Sequence, residues 1–340
     1  MVEEKNLKKK MIGIIGSGSW ATAIAKILLE EEDQKVAWWV RSEDVCEGLR
    51  REGRNVRHLG EVLFDPARLI VDTDLTKVVS ICDTLFLAIP SAYLSGVMSQ
   101  LSPEVLKGRR FVSLIKGSLP EKIQSVSMYL EEDLGVDHDK ICVVSGPSHA
   151  EEVAKEMPTF LTIASHCPQL ALDVEKMLHC SYIYTSHTTD IEGVERSGLA
   201  KNVYAIAAGL CQGLGYGDNM NAVLTAAAFR EMSSLVQINL PCEKRDLTQP
   251  CYLGDLMVTC WSQHSRNRAL GVAVALGKTV QEAFDNMGTV AEGYYSVRNI
   301  HLLAAKMEIE TPPIAESVYR VLYEHADPRT EMQYMIDHVF

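Results

Sequence analysis

The sequence has no C-x-x-C pair and no cluster in which its nine cysteines and ten histidines stand at metal-ligand spacing. That argues against a zinc site and against a disulfide framework, and it fits scattered, inert thiols in a reducing compartment. No run is apolar for long enough to span a bilayer. Positive charge is in deficit, with 33 Lys and Arg against 45 Asp and Glu and a formal net charge of -12. A general nucleic-acid binder would carry a basic surface, so that class is excluded, while a local basic pocket for a small phosphate is not. Internal repeats and low-complexity linkers are absent. The start, "MVEEKNLKKKMIGIIGSGSW", is basic and then apolar, but glycines break the apolar run and lead into a motif, which argues against a cleaved signal peptide. The expectation is a cytoplasmic protein without a membrane span.

What remains is an ordinary globular chain of 340 residues, 47% hydrophobic and 23% charged, long enough for two domains with real cores. Residues 11 to 29, "MIGIIGSGSWATAIAKILL", run from a short buried strand through Gly16-Ser-Gly18-Ser-Trp-Ala21 into an amphipathic helix. In a G-x-G-x-x-A turn the first glycine permits the bend, the second lets a diphosphate approach the backbone, and the alanine lets helix and strand lie close. The helix N-terminus then offers unpaired N–H groups to the phosphates. The next strand, "VAWWVR", ends at Arg41, where an enzyme strict for NAD would carry Asp or Glu. Arg41 is either a ligand for the 2′-phosphate of NADP or a solvated strand end. Further strands are predicted in "TLFLAIPS" (84–91), "RFVSLIKGS" (110–118) and "KICVVSGPSHAEE" (140–152), alternating with helices. A mostly parallel sheet follows. Ligands collect beyond the C-terminal strand ends of such sheets, where Pro90-Ser91, Lys116-Gly117 and Gly146-Pro147-Ser148 fall. Each also reads as a plain surface turn.

From about residue 190 the pattern becomes helical, with helices predicted at 193–211, 220–238, 252–260, 265–276, 280–286, 292–306 and 313–325. The fold class is therefore α/β: a Rossmann-type parallel-sheet domain over 1–191, then an all-α domain over 192–340. In "GLAKNVYAIAAGL" (198–210) a single lysine, Lys201, heads an almost wholly apolar helix. It either snorkels into water or is held in a cleft for chemistry. Asp255 in "YLGDLMVTC" is either a cleft acid or a first-turn complement to a helix dipole. In "HSRNR" (264–268), Ser265, Arg266 and Asn267 open a helix with a hydroxyl, a guanidinium and an amide, a set that holds phosphate or simply ends a basic helix.

In order, "GSGSWATAIA", "IPS", "KGS", "SGPSHAEEVA", "AKNVYAIAAGLCQGLGYGDN", "LGDLMVTCWSQHSRNR" and "VAEG" resemble the motifs of bacterial NAD(P)-dependent glycerol-3-phosphate dehydrogenase. The resemblance runs from about residue 11 to 325. It implies NADP or NAD as cofactor, no metal, and reversible reduction of dihydroxyacetone phosphate to sn-glycerol 3-phosphate, which feeds glycerophospholipid synthesis. It implies cofactor contacts from the Gly16-Gly18 turn, Ser19, Trp20, Arg41, Lys116, Ala150, Arg266, Val290 and Glu292. Substrate contacts are implied for Lys116, Gly146, Ser148, Lys201, Asp255, Ser265, Arg266 and Asn267. Lys201 matches the acid/base, with Asp255 and Lys116 beside it in the chemistry. A homodimer, no nucleic acid and no membrane span complete the expectation.

Two stretches depart from the family pattern. "LTAAAFREM" (224–232) has Ala226 and Ala227 where an arginine and a glycine are expected, and "EGYYSV" is bulkier than usual near the nicotinamide. The rival readings are a ketopantoate-type reductase or a β-hydroxyacid dehydrogenase, whose substrates carry no phosphate, and a non-catalytic NAD(P) sensor, which needs no Lys201 and Asp255 together.

Overall fold

The computed structural model describes residues 11–238, 245–288 and 290–340. Eight strands form one sheet: β1 (Ile12–Ile15), β2 (Val36–Trp39), β3 (Leu69–Asp72), β4 (Thr84–Leu87), β5 (Arg110–Ser113), β6 (Ile141–Ser145), β7 (Thr159–Ala164) and β8 (Ile183–Thr188). Their order is β3-β2-β1-β4-β5-β6-β7-β8. Every pairing is parallel except β6 with β7. Strands β1, β2 and β4 are buried along their whole length, as expected where helices cover both faces and alternation gives way to continuous apolar runs. The chain winds outward in opposite directions from β1 and β4, so a crevice opens beyond their C-terminal ends.

The sequence reading contains β1, β2, β4, β5 and β6 but omits β3, β7 and β8. Two of the missing strands, β3 and β8, are the partly exposed edges of the sheet, and β8 reads "IYTSHT", whereas β7 lies inside the sheet and is buried at every position but Phe160.

All seven helices predicted beyond residue 190 are present, as Ile191–Gly213, Asp218–Gln237, Asp255–Trp261, Arg266–Ala275, Val280–Met287, Glu292–Lys306 and Pro313–Tyr323. An eighth, Pro328–His338, starts with Pro at its first position behind the N-cap Asp327. The central helix Ile191–Gly213 is buried on nearly every side rather than on one broad face. Its N-cap Asp190 accepts from Gly193 N (3.3 Å) and pairs with Arg245 (2.5 and 2.7 Å). The helices Asp218–Gln237, Asp255–Trp261, Arg266–Ala275 and Glu292–Lys306 pack around it. The approach of Arg266–Ala275 is set by two glycines: a Cβ on Gly209 would lie 2.1 Å from the Arg268 carbonyl oxygen, and one on Gly271 would lie 2.1 Å from that of Ile206. Val143 of β6 and Ala164 of β7 belong to the same apolar core as the helices, so the sheet and the helical unit share a packed interface. Of the two alanines that depart from the family pattern, Ala226 is exposed and Ala227 is buried.

Candidate active site

The phosphate turn is shaped by backbone alone. Gly16 has φ +125°, and a Cβ there would come 2.3 Å from the Ala88 carbonyl oxygen. Trp38 Nε1 donates to the Gly16 carbonyl (2.6 Å), which fixes the bend from below. At Gly18 a Cβ would meet nothing within 4 Å, so the turn opens onto free space. Gly18 is the N-cap of Ser19–Leu28, with no side-chain cap and no acidic residue in the first turn. The first N–H groups of that helix are thus available, and the residues fit a dinucleotide diphosphate. Trp20 stands half-buried there, its Nε1 closed from solvent and without a hydrogen-bond partner among the described residues. Arg41, just beyond β2, is exposed.

Across the crevice three charges meet. The Asp255 carboxylate accepts from Lys201 Nζ through Oδ1 and from Lys116 Nζ through Oδ2 at 2.9 Å, with Ser145 Oγ donating to Oδ2 at 3.2 Å. Lys201 and Asp255 are 2% and 1% exposed, so Lys201 does not snorkel and Asp255 does more than complement a dipole. Lys116 is half-buried and also donates to the Gly146 carbonyl (2.7 Å) and Ser148 Oγ (3.3 Å). The loops after β5 and β6 are thereby tied to the first turn of Asp255–Trp261. Burial pushes the pKa of Lys201 down to about 7, and neighbouring Lys116 adds to this while Asp255 opposes it. For Asp255 burial acts upward, but the two ammoniums outweigh it and hold the carboxyl below its usual range.

Beside this cluster Arg266–Ala275 begins. Ser265 is its N-cap, accepting from Arg268 N at 3.3 Å. The charge of Arg266 acts on both His58 and Glu292, lowering the pKa of each, alongside burial at His58 and against it at Glu292. Asn267 is more committed than its motif suggests: Nδ2 donates to Asn202 Oδ1 (2.8 Å) and Oδ1 accepts from Gly293 N (2.8 Å). Asn202 Nδ2 in turn donates to the Lys116 carbonyl. This chain joins the β5 loop, the central helix, the Arg266 helix and the Glu292 helix. Glu292 accepts from Ser91 N (2.9 Å) and Ser91 Oγ (2.5 Å), bridging the helical unit to the β4 loop. Ala150 is buried at the start of the short helix that follows β6, and Val290 is half-buried before Glu292.

Two family models match the chain: "NAD-dependent glycerol-3-phosphate dehydrogenase N-terminus" over residues 11–171 and "NAD-dependent glycerol-3-phosphate dehydrogenase C-terminus" over 190–333. The chain belongs to the NAD-dependent glycerol-3-phosphate dehydrogenase family. It is 36% identical over 319 residues to glycerol-3-phosphate dehydrogenase [NAD(P)+] 1 of Salinibacter ruber, covering 94% of this chain and 92% of that one. Its identity to the glycerol-3-phosphate dehydrogenase [NAD(P)+] of Leptospira biflexa is 35%, covering 94% and 95%. The crystal structure of glycerol-3-phosphate dehydrogenase from Coxiella burnetii superposes with a TM-score of 0.90 at 33% identity, covering 97% of this chain and 99% of that one. Membership in the glycerol-3-phosphate dehydrogenase family rests on nearly the whole chain, helical half included.

Several site-forming residues carried no signal in a single sequence. Asn55 is fully buried and holds the phosphate turn by donating to the Ser17 carbonyl (2.9 Å) and Thr22 Oγ1 (2.8 Å), yet it lies in an irregular loop. Ser145 and Asn202, which bond to Asp255 and to the Lys116 carbonyl, stand in no motif that marks their side chains. Asn202 sits next to Lys201 in the K-N-V block, and an amide buried in an apolar helix is the clue that could have marked it.

Proposed function

We propose that this chain catalyses the reversible NAD(P)H-dependent reduction of dihydroxyacetone phosphate to sn-glycerol 3-phosphate. The observation that carries the reading is the buried Lys201–Asp255–Lys116 cluster, set between a dinucleotide turn and the N-terminus of a helix that opens with Ser265 and Arg266. A nicotinamide held by the dinucleotide turn would supply the hydride that the carbonyl carbon needs. Lys201 Nζ gives a proton to the carbonyl oxygen during reduction and takes it back during oxidation, a role suited to a pKa near neutrality. Asp255 orients Lys201 and balances its charge. Lys116, with Gly146 and Ser148, holds the substrate's reacting end in register.

Arg266 and Ser265 bind the phosphoryl group, together with the first-turn N–H groups of their helix. The Asn267 side chain is engaged elsewhere, so its contribution comes through its backbone N–H. The phosphate's binding energy thereby positions a carbonyl that lies several bonds away. On the cofactor side, Ser19 and Trp20 would hold the dinucleotide at the glycine turn, Arg41 would take the 2′-phosphate of NADP, and Ala150, Val290 and Glu292 would add further cofactor contacts, with Arg266 shared between the two ligands.

Residues 1–191 would form the dinucleotide-binding domain and 192–340 the substrate-binding and catalytic domain, each lending residues to the other's ligand. The same reading extends to a cytoplasmic homodimer supplying glycerophospholipid synthesis. The test is loss of reduced-nicotinamide absorbance with purified protein, using NADPH and NADH in parallel. Rapid oxidation with dihydroxyacetone phosphate and none with ketopantoate is expected; the reverse preference would move the chain to the reductase reading.

A further inference from the structure

Asp255 has one uncharged partner that the mechanism above leaves without a role. Its carboxylate meets two ammoniums, Lys201 at Oδ1 and Lys116 at Oδ2, and Oδ2 also accepts from Ser145 Oγ at 3.2 Å. Thr259, one turn further along the Asp255 helix, does not compete for it. Its hydroxyl donates to the Asp255 backbone carbonyl at 2.5 Å and stands 3.5 Å from Oδ1. Among the described residues Ser145 is therefore the neutral donor to this carboxylate.

The sheet fixes where Ser145 stands. It closes β6, pairs with Thr162 of β7 and is 3% exposed. The next residue, Gly146, has φ +141°, and a Cβ there would lie 2.3 Å from the Phe160 carbonyl oxygen, so the end of β6 lies tight against β7. The Gly146 carbonyl accepts from Lys116 Nζ at 2.7 Å. One strand end thus presents a donor to the carboxylate and an acceptor to the ammonium that shares Oδ2.

A hydroxyl placed this way acts on charge. Its hydrogen bond favours the ionised acid and takes up part of the negative charge, which leaves less to hold a neighbouring ammonium. The other titratable groups around the pair do not offset this. Lys116 is the second ammonium and lowers the pKa of Lys201. Burial, with the two ammoniums, lowers that of His149, so the imidazole is neutral. Burial raises the thiols of Cys251 and Cys260 to about 12, so they are neutral too.

We infer that Ser145 is a positioning residue for the proton transfer, its hydroxyl sharing the Asp255 carboxylate and so limiting how firmly that carboxylate holds the Lys201 proton. The inference rests on the reading of Lys201 as the acid/base and deepens it. The test is Ser145→Ala, assayed with dihydroxyacetone phosphate and NADPH across the pH range that brackets Lys201. Without the donor more of the Asp255 charge falls on Lys201, so the break in reductive kcat/KM moves up by about half a pH unit, a fraction of one charge-assisted hydrogen bond. KM for dihydroxyacetone phosphate below the break stays within about twofold, because Ser145 acts on the proton and not on the ligand. Ser145→Thr, which keeps the hydroxyl, returns the break to its wild-type position.

A site that is merely loosened loses kcat or gains KM without an upward move of the break. A break that stays in place or moves down in Ser145→Ala overturns the inference, as does a Ser145→Thr break that moves with it. Should Ser145→Ala not fold, Ser145→Cys replaces the hydroxyl with a weak donor. Its break moves in the same direction, and an unmoved one overturns the inference equally. An unmoved break in an active variant removes the inference alone, whereas failure of the wild type to turn over dihydroxyacetone phosphate removes the functional reading with it.

Discussion

The carboxylate of Asp255 holds the ammonium of Lys201 in a pair from which water is excluded, the two side chains being 2% and 3% exposed. Such a pair gains little stability over an apolar substitute, because desolvating both charges offsets their attraction. Its effect is on the proton. Burial brings Lys201 to a pKa of about 7, while Asp255 keeps it from falling further.

The pH dependence has a defined sign. Reduction uses the ammonium, so kcat/KM for dihydroxyacetone phosphate is expected to fall as pH rises through about 7. Oxidation uses the amine, so kcat/KM for glycerol 3-phosphate rises over the same range. Initial rates in both directions across pH 5.5–9 (roughly the span that brackets a group near 7) check this; parallel profiles in the two directions would contradict it.

Removing the partner moves the break. In Asp255→Asn the charge that holds Lys201's pKa up is gone, so the reductive break shifts below that of the wild type. Loss of one member of a buried pair also costs about 3–5 kcal/mol of stability. Thermal melts and pH–rate profiles of the same preparation read both effects.

Arg266→Gln removes charge-assisted bonds to the phosphoryl group. A loss of about 1.5–3 kcal/mol in substrate binding is expected, that is, roughly a ten- to hundredfold rise in KM. Normal saturation by dihydroxyacetone phosphate would remove Arg266 from the phosphate site.

Arg41→Ala separates the two cofactors. The exposed guanidinium is expected to matter only when a 2′-phosphate is present, so KM for NADPH rises about tenfold and that for NADH stays unchanged. Equal changes for both cofactors would make Arg41 a solvated strand end.

Packing and site are coupled through Gly209. A methyl group there would strike the Arg268 carbonyl and push the Arg266 helix off the central helix. Gly209→Ala is expected to cost about 1–3 kcal/mol through overpacking. KM for the phosphorylated substrate rises with it, because Arg266 and Lys201 ride on the two displaced helices.

Much of this was legible in the chain. The glycine turn, the buried strands around it and the seven helices beyond residue 190 follow from local periodicity, which packing on both faces reinforces. The edge strands β3 and β8 were not legible, because a half-exposed edge tolerates polar residues and loses the apolar signal. Lys201, Asp255 and Lys116 stood out as charges in apolar surroundings. Their convergence on one carboxylate depends on contacts far apart in the chain, Lys116 with Asp255 across 139 residues and Lys201 with Asp255 from another helix, which no spacing encodes. For Asn267 the motif marked the right residue, but its side chain holds Asn202 and Gly293 together, a role visible only once the helices are packed.

The most direct test of the account is Lys201→Ala, assayed for turnover of dihydroxyacetone phosphate and, in the same preparation, for cofactor affinity by nucleotide fluorescence. A fall in kcat of about 10²–10⁴-fold with cofactor affinity unchanged is predicted, the scale of a lost general acid. Turnover at the wild-type rate would contradict the central claim that Lys201 moves the proton.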